Sequence, residues 1–178
     1  TVVVIPAWNE GMVIGTTIDR LMKLNFPKDR LKVYVIDDGS TDDTPTICIQ
    51  KSKEYPGRVV HIRRVAGGEG KAHTLNYGLD ILWKNDWCEA VLIMDADVIY
   101  TADSIAKMAR HLADDKIGAV TGNIKEGSAK PNYVQRFITF EYATATGASR
   151  RAQNVFGFLA CLSGGAQLHS RDNMIEIG

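Results

Sequence analysis

Ala90-Val91-Leu92-Ile93-Met94 runs directly into Asp95-Ala96-Asp97. Five consecutive apolar residues fit a strand covered on both faces, as in a parallel sheet packed between helices. On an extended segment, acids two apart project to the same side. In open α/β sheets ligands bind outside the carboxyl ends of the strands, so the acids stand where a site is expected. Taken alone, the triplet also reads as acids beside a helix start, because Asp103-Ser104 opens a helix nearby.

Outward from this stretch the same alternation repeats. Val2 to Ile5 is a β-branched run and reads as a strand. Gly11 to Leu24 carries Ile14, Ile18, Leu21 and Met22 on one helical face, and Asn25-Phe26-Pro27 ends it. Leu31 to Ile36 is a second strand. Ser40-Thr41-Asp42-Asp43 supplies capping side chains, and Pro45 suits the first turn of a helix reaching about Glu54. Val59 to Ile62 is a third strand after the Pro56-Gly57 turn, and Lys71 to Trp83 is a helix with Leu75, Leu79 and Leu82 in register. Beyond the opening stretch come a helix over Ser104 to Leu112 and a strand over Gly118 to Thr121. This order predicts an α/β fold, a Rossmann-like, mostly parallel sheet with helices on both faces. After Asn123 the pattern changes to one long helix over Tyr133 to Arg151, then a strand within Leu159 to His169.

Polar clusters follow strands one, two and four: Pro6-Ala7-Trp8-Asn9-Glu10, Asp37-Asp38-Gly39-Ser40-Thr41-Asp42, and Asp95-Ala96-Asp97. Gathered on one sheet edge, these acids repel one another unless a cation binds. A divalent metal with a diphosphate answers that need, because hard cations prefer carboxylate and phosphate oxygen. Asp38 can accept hydrogen bonds from a base or ribose, although Asp37 to Ser40 also reads as a turn and helix cap. Gly67-Gly68-Glu69-Gly70-Lys71 is not a P-loop, since Val65 and Ala72 occupy positions that need Gly and Ser or Thr. With Arg63, Arg64 and His73 it forms the most basic stretch, and Lys71 can still meet a diphosphate.

Composition narrows the classes. Lys+Arg and Asp+Glu both number 21, so the chain carries no global charge for nucleic acid. Cys48, Cys88 and Cys161 show neither zinc spacing nor a disulfide framework and read as core or near-core thiols of a reducing compartment. His61, His73, His111 and His169 make no metal pattern, with His111 expected on the surface. No apolar run approaches the roughly 18 residues of a membrane span. The longest, Val155 to Leu162, is broken by Gly157. The chain opens inside the run Thr1-Val2-Val3-Val4-Ile5, stops at Gly178 just after a helix-like segment, and is expected to be a piece of a longer one.

Together, Pro6 to Glu10, Asp37 to Asp42, Gly70-Lys71-Ala72 leading to Leu75-Asn76, Asp95 to Asp97 and Ser163-Gly164-Gly165 resemble glycosyltransferase family 2, with its GT-A fold. The resemblance covers essentially the whole chain. Lys71-Ala72 followed by Leu75-Asn76 resembles the membrane synthases of β-linked polysaccharides: cellulose, chitin, hyaluronan and poly-N-acetylglucosamine. The resemblance implies one GT-A domain over 1–178, with a nucleotide-sugar half at 1–122 and the start of an acceptor half at 123–178. By the same resemblance Pro6, Ala7, Asn9, Glu10 and Asp38 hold a uridine with Asp37 in support. Lys71 meets the diphosphate, and Asp95 and Ala96 lie by the ribose or donor sugar. Asp97, with Asp95, ligates Mg²⁺ or Mn²⁺, and Ser163, Gly164 and Gly165 lie under the donor or acceptor sugar.

The implied donor is a UDP-sugar, UDP-GlcNAc or UDP-glucose, and the implied acceptor a glycan or lipid-linked sugar. The transfer inverts the anomeric centre, at the cytoplasmic face of a membrane reached through other segments. The sequence departs from the family in one respect. The base ordinarily lies in a Glu-Asp pair after Ser-Gly-Gly, and the synthases add Gln-x-x-Arg-Trp; neither occurs up to Gly178. The general base is therefore expected after Gly178, and no catalytic residue is assigned before it. The later acids Glu141 and Asp172 match no motif, so donor binding without turnover is expected. Two other readings stand beside this one: a nucleotidyltransferase, disfavoured because Trp8-Asn9-Glu10 replaces a glycine-rich basic loop after strand one, and a non-catalytic nucleotide-binding module.

Overall fold

A computed structural model describes residues 1–84, 88–125, 127 and 132–177. Six strands form one sheet: β1 (Val2–Ala7), β2 (Lys32–Asp37), β3 (Val59–Arg63), β4 (Ala90–Met94), β5 (Ala119–Thr121) and β6 (Ala166–Ser170), in the order β3-β2-β1-β4-β6-β5. β1 pairs in parallel with β2 and β4, and β2 with β3. The register sets Ala7 beside Asp37 and Asp37 beside Arg63. The loops after these strands therefore leave the sheet together.

Alternate residues of the central strands bury opposite faces. On one face Val3, Ile5, Val33, Val35, Leu92 and Met94 pack with Ile14, Ile18 and Leu21 of α1 (Ile14–Met22), Cys48 of α2 (Thr44–Glu54), and Ile105 and Met108 of α4 (Ser104–His111). On the other, Val2, Val4, Tyr34, Ile36, Val91 and Ile93 pack with Leu79 and Leu82 of α3 (Lys71–Trp83). The expected two-faced layering is therefore present. α1 starts at Ile14 rather than Gly11, because Val13 and Ile14 N–H both bond to the Glu10 carbonyl in a tight turn. At the start of α2 the Thr44 N–H donates to Asp42 Oδ1 at 2.9 Å, so Asp42 rather than Asp43 supplies the capping carboxylate.

The sheet is mixed. β6 lies between β4 and β5 and is antiparallel to both, so one strand runs against the other five. The Leu159–His169 region yields a strand only from Ala166, because Ser163 to Ala166 close a turn in which Ala166 N–H bonds to the Ser163 carbonyl at 3.1 Å. The expected long helix comprises α5 (Tyr133–Glu141), a π-helical stretch (Tyr142–Ala148) and α6 (Ser149–Val155). It outlasts Arg151, ends at Val155 and is closed by Gly157, whose φ of +79° lets the Gly157 and Phe158 N–H groups bond back to the Asn154 and Gln153 carbonyls. The last element is α7 (Arg171–Ile177). Gly178, the residue after which the general base is expected, lies outside the described residues.

Cys48 and Cys88 are buried, and burial pushes the Cys48 thiol up to about 12. Cys161 is exposed, which corrects the reading of all three cysteines as core or near-core thiols: it lies in the irregular segment between α6 and β6, outside both core layers. His111 is exposed as expected.

Candidate functional site

The loop after β1 is stitched to the loop after β2. Asn9 adopts φ +56°, a left-handed conformation that asparagine tolerates better than most residues. Its Oδ1 accepts from the Thr41 N–H at 2.8 Å, while its own N–H donates to Ser40 Oγ at 2.9 Å. Glu10 N–H donates to Thr44 Oγ1 at 2.8 Å and Gly11 N–H to Asp42 Oδ2 at 2.9 Å. Asn9 and Asp42 thus serve loop structure.

Asp37 and Asp38 face different surroundings although adjacent. Asp37 ends β2 and is fully buried. Its Oδ1 accepts from Ser40 N–H at 2.8 Å, and its Oδ2 lies 3.5 Å from His61 Nε2 and 3.6 Å from Arg63 Nε. One residue on, the Asp38 carboxylate meets the Arg64 guanidinium and accepts from the Gly68 N–H at 3.1 Å. Arg64 also pairs with Glu69 and lies over the Tyr77 ring. Gly67 presses against the Asp38 carbonyl so closely that a Cβ would collide with backbone.

Gly70, at φ +95°, turns the chain into α3. The Lys71 ammonium at the head of that helix pairs with Asp95 Oδ1 and lies 3.3 Å from the Gly164 carbonyl. Gly165 is held against Asp95, since a Cβ there would lie 3.1 Å from Asp95 Oδ2. Ser163 N–H donates to Thr121 Oγ1 at 3.0 Å, tying this turn to the end of β5. The Ser163–Gly165 turn, distant from Asp97 in sequence, is thereby brought to the acids.

A cavity of about 540 Å³ is lined by Pro6, Ala7, Trp8, Glu10, Asp38, Lys71, Asp95, Ala96 and Asp97, with Gly68, Gly70 and Thr74. A second, of about 500 Å³, adjoins it through Trp8, Asp38 and Gly68 and extends to Arg63, Arg64 and Val65. Asn9 and Asp37 line neither cavity: Asn9 is exposed and Asp37 is fully buried. Trp8, Arg64, Gly68 and Thr74 line the cavities although the sequence does not single them out as site residues. Trp8, 61% exposed at a cavity mouth, is legible in the Pro6–Glu10 segment as a large aromatic on a polar loop. Neither cavity wall includes Glu141 or Asp172, and Gly178, with the base expected beyond it, falls outside the described residues.

Burial raises the Glu10 carboxyl above its ordinary value, and the carboxylates of Asp97, Asp42 and Asp95 push it further the same way. That crowding of like charge, and a donor set made only of carboxylate oxygen, fits a hard divalent cation. Among the described residues no group of three or more His, Cys, Asp or Glu is placed to hold a metal ion by itself.

The parallel strands, the inserted antiparallel strand and the helices on both faces define the class as a GT-A glycosyltransferase fold. The mannosyltransferase PcManGT from Pyrobaculum calidifontis, solved with GDP-Man and Mn²⁺, superposes with a TM-score of 0.80 at 26% identity, over 99% of this chain and 46% of its own. The pattern of glycosyl transferase family 2 matches residues 2–178, and the chain belongs to that family. It is 28% identical over 172 residues to the poly-beta-1,6-N-acetyl-D-glucosamine synthase of Staphylococcus epidermidis, over 96% of this chain and 39% of that protein. The fold is also that of glucosyl-3-phosphoglycerate synthase from Mycobacterium tuberculosis, solved with Mn²⁺, UDP and glucosyl-3-phosphoglycerate (TM-score 0.61, 24% identity, 96% of this chain and 56% of that one). The chain spans about two fifths of the length of the synthase it matches.

Proposed function

We propose that this chain is the donor-binding part of an inverting sugar transferase that uses a UDP-sugar and Mg²⁺ or Mn²⁺. The observation that carries the reading is the convergence of Asp38, Lys71, Asp95 and Asp97 on one cavity from the end of β2, the head of α3 and the end of β4. Pro6, Ala7 and Trp8 form a wall on which a base can lie, and Asp38 offers the acceptor that an imide N–H requires. Asn9 and Asp37 contribute by fixing the two loops. Lys71, freed from Asp95, offsets diphosphate charge, and Asp95 and Ala96 face the ribose and sugar. Asp97, with Asp95 and Glu10 near it, would hold the metal, which supplies electrostatic stabilisation of the departing diphosphate. Ser163, Gly164 and Gly165 leave room for a pyranose beside Asp95.

The sugar proposed first is N-acetylglucosamine, supported by the name of the Staphylococcus relative, with glucose as the second choice. The acceptor is a glycan or lipid-linked sugar, and in the whole protein the site works at the cytoplasmic face of a membrane. Residues 1–122 form the nucleotide half and 123–178 the beginning of the acceptor half. Among the described residues no helix is long and apolar enough to cross a membrane.

The acceptor hydroxyl needs a carboxylate base. Glu141 and Asp172 lie on α5 and α7 and line neither cavity. The base is accordingly proposed to follow Gly178 in the whole protein, and the isolated chain to bind donor without forming glycan. Calorimetric titration with UDP-GlcNAc, UDP-glucose and GDP-mannose, each with and without Mn²⁺, tests the reading. Metal-dependent binding of the UDP-sugars above GDP-mannose supports it. Preference for GDP-mannose overturns the choice of nucleobase, and absence of any nucleotide binding leaves a non-catalytic module.

A further inference from the structure

Thr17 is a polar residue on the buried face of α1, 4% exposed, between Ile14 and Ile18, which are fully buried. A threonine inside a helix ordinarily returns its hydroxyl to a carbonyl one turn earlier. Thr17 instead reaches out of its helix and across 79 residues of sequence: Oγ1 donates to the Ala96 carbonyl at 2.6 Å. Ala96 is the middle residue of Asp95-Ala96-Asp97 and is 3% exposed. A second strut joins the same two segments, since Asn25 N–H, just past α1, donates to the Ala102 carbonyl at 2.7 Å.

The peptide unit is planar, so holding the Ala96 carbonyl fixes the orientation of the Ala96–Asp97 peptide. That in turn fixes the direction in which the Asp97 chain departs. The Asp97 carboxylate accepts no hydrogen bond from the described residues, and the Asp95 carboxylate is tied by Lys71. The peptide plane sets where the Asp97 side chain starts, and Thr17 is the side chain that holds that plane. α1 is a firm base for the clamp, because Ile14, Ile18 and Leu21 anchor it in the core.

We infer that Thr17 is a positioning residue for the metal-facing acid: its hydroxyl orients Asp97 from beneath without touching nucleotide or metal. The inference rests on the proposed donor site. Groups that orient metal ligands from behind typically carry about 10- to 100-fold of metal affinity.

The test compares Thr17→Val, which keeps the branched shape and loses the donor, with Thr17→Ser, which keeps the donor. Free Mn²⁺ is followed by electron paramagnetic resonance in saturating UDP, at a temperature where thermal melts show every variant folded. UDP affinity is measured separately in EDTA. Expected are Mn²⁺ binding about tenfold weaker in Thr17→Val, recovery in Thr17→Ser to within about twofold of the starting protein, and unchanged UDP affinity in EDTA for both. Mn²⁺ binding by Thr17→Val as tight as in the starting protein overturns the inference. So does an equal loss in the serine variant, or a matching loss of UDP affinity in EDTA, which marks general damage to the fold. Asp97→Ala separates the two levels. If it weakens Mn²⁺ and Thr17→Val does not, the Thr17 role alone fails; if the starting protein with UDP holds no Mn²⁺, the donor-site reading fails and this inference with it.

Discussion

The Lys71 ammonium is paired with Asp95 Oδ1, joining the head of α3 to the end of β4. Both side chains are more than two fifths exposed, so the pair does little for stability, on the order of 0–1 kcal/mol for such pairs. Its interest is that the cation is held ready beside the acids and is free to turn to a phosphate. Lys71→Met is expected to change unfolding free energy by less than about 1 kcal/mol. It is expected to weaken UDP binding in Mn²⁺ by about tenfold or more, as suits loss of a charge-assisted bond. Urea unfolding and UDP titration on the same preparation check both halves, and unchanged UDP affinity would remove Lys71 from the site.

Asp38 and Arg64 behave differently, because they are 6% and 8% exposed. Removing one partner leaves the other's charge without its partner. Arg64→Met is expected to lose stability, and Asp38→Asn combined with Arg64→Met to lose less than the sum of the single changes. A denaturant double-mutant cycle reads the coupling. Additive single losses would mean that the two groups do not depend on each other.

Gly67 tests how closely the glycine loop must approach the Asp38 backbone. In Gly67→Ala the added methyl meets the Asp38 carbonyl and the Gly39 nitrogen, neither of which can move without moving the loop after β2. A loss of about 1–3 kcal/mol is expected, with weakened UDP binding. Gly68→Ala meets no atom within 4 Å and is opposed only by its φ of +92°, so its cost is expected to be about 1–2 kcal/mol. Equal affinity for UDP in Gly67→Ala and the starting protein would show that the loop has room to spare.

The core strands were legible because continuous apolar runs such as Val2–Ile5 and Ala90–Met94 leave little else for the chain to do. The loops after β1, β2 and β4 were placed together for the same reason. The insertion of β6 between β4 and β5 was not legible: its residues Ala166 and Leu168 pair with strands far away in sequence, and no local pattern states which neighbours a short strand will take. The different fates of Asp37 and Asp38 follow from where β2 ends. The ladder carries Asp37 into the sheet beside Ala7 and Arg63, leaving Asp38 to the cavity. Asn9 and Trp8, neighbours in one loop, take different places. The polar residue proved to be a staple between loops, and the apolar one lines the cavity.

The most direct measurement is thermal unfolding with UDP alone, Mn²⁺ alone and both together, on the unaltered chain and on Asp97→Ala. A ligand that binds only the native state at about 100 times its Kd adds about 2.7 kcal/mol, which for a chain of this length is roughly 5–10 °C in Tm. The unaltered chain is expected to show a rise of that size with UDP and Mn²⁺ together and a smaller one with UDP alone. Asp97→Ala is expected to keep the UDP-only part and lose the metal-dependent part. A full metal-dependent rise in Asp97→Ala, or no rise with UDP and Mn²⁺ in the unaltered chain, would contradict a donor site built around Asp95-Ala96-Asp97.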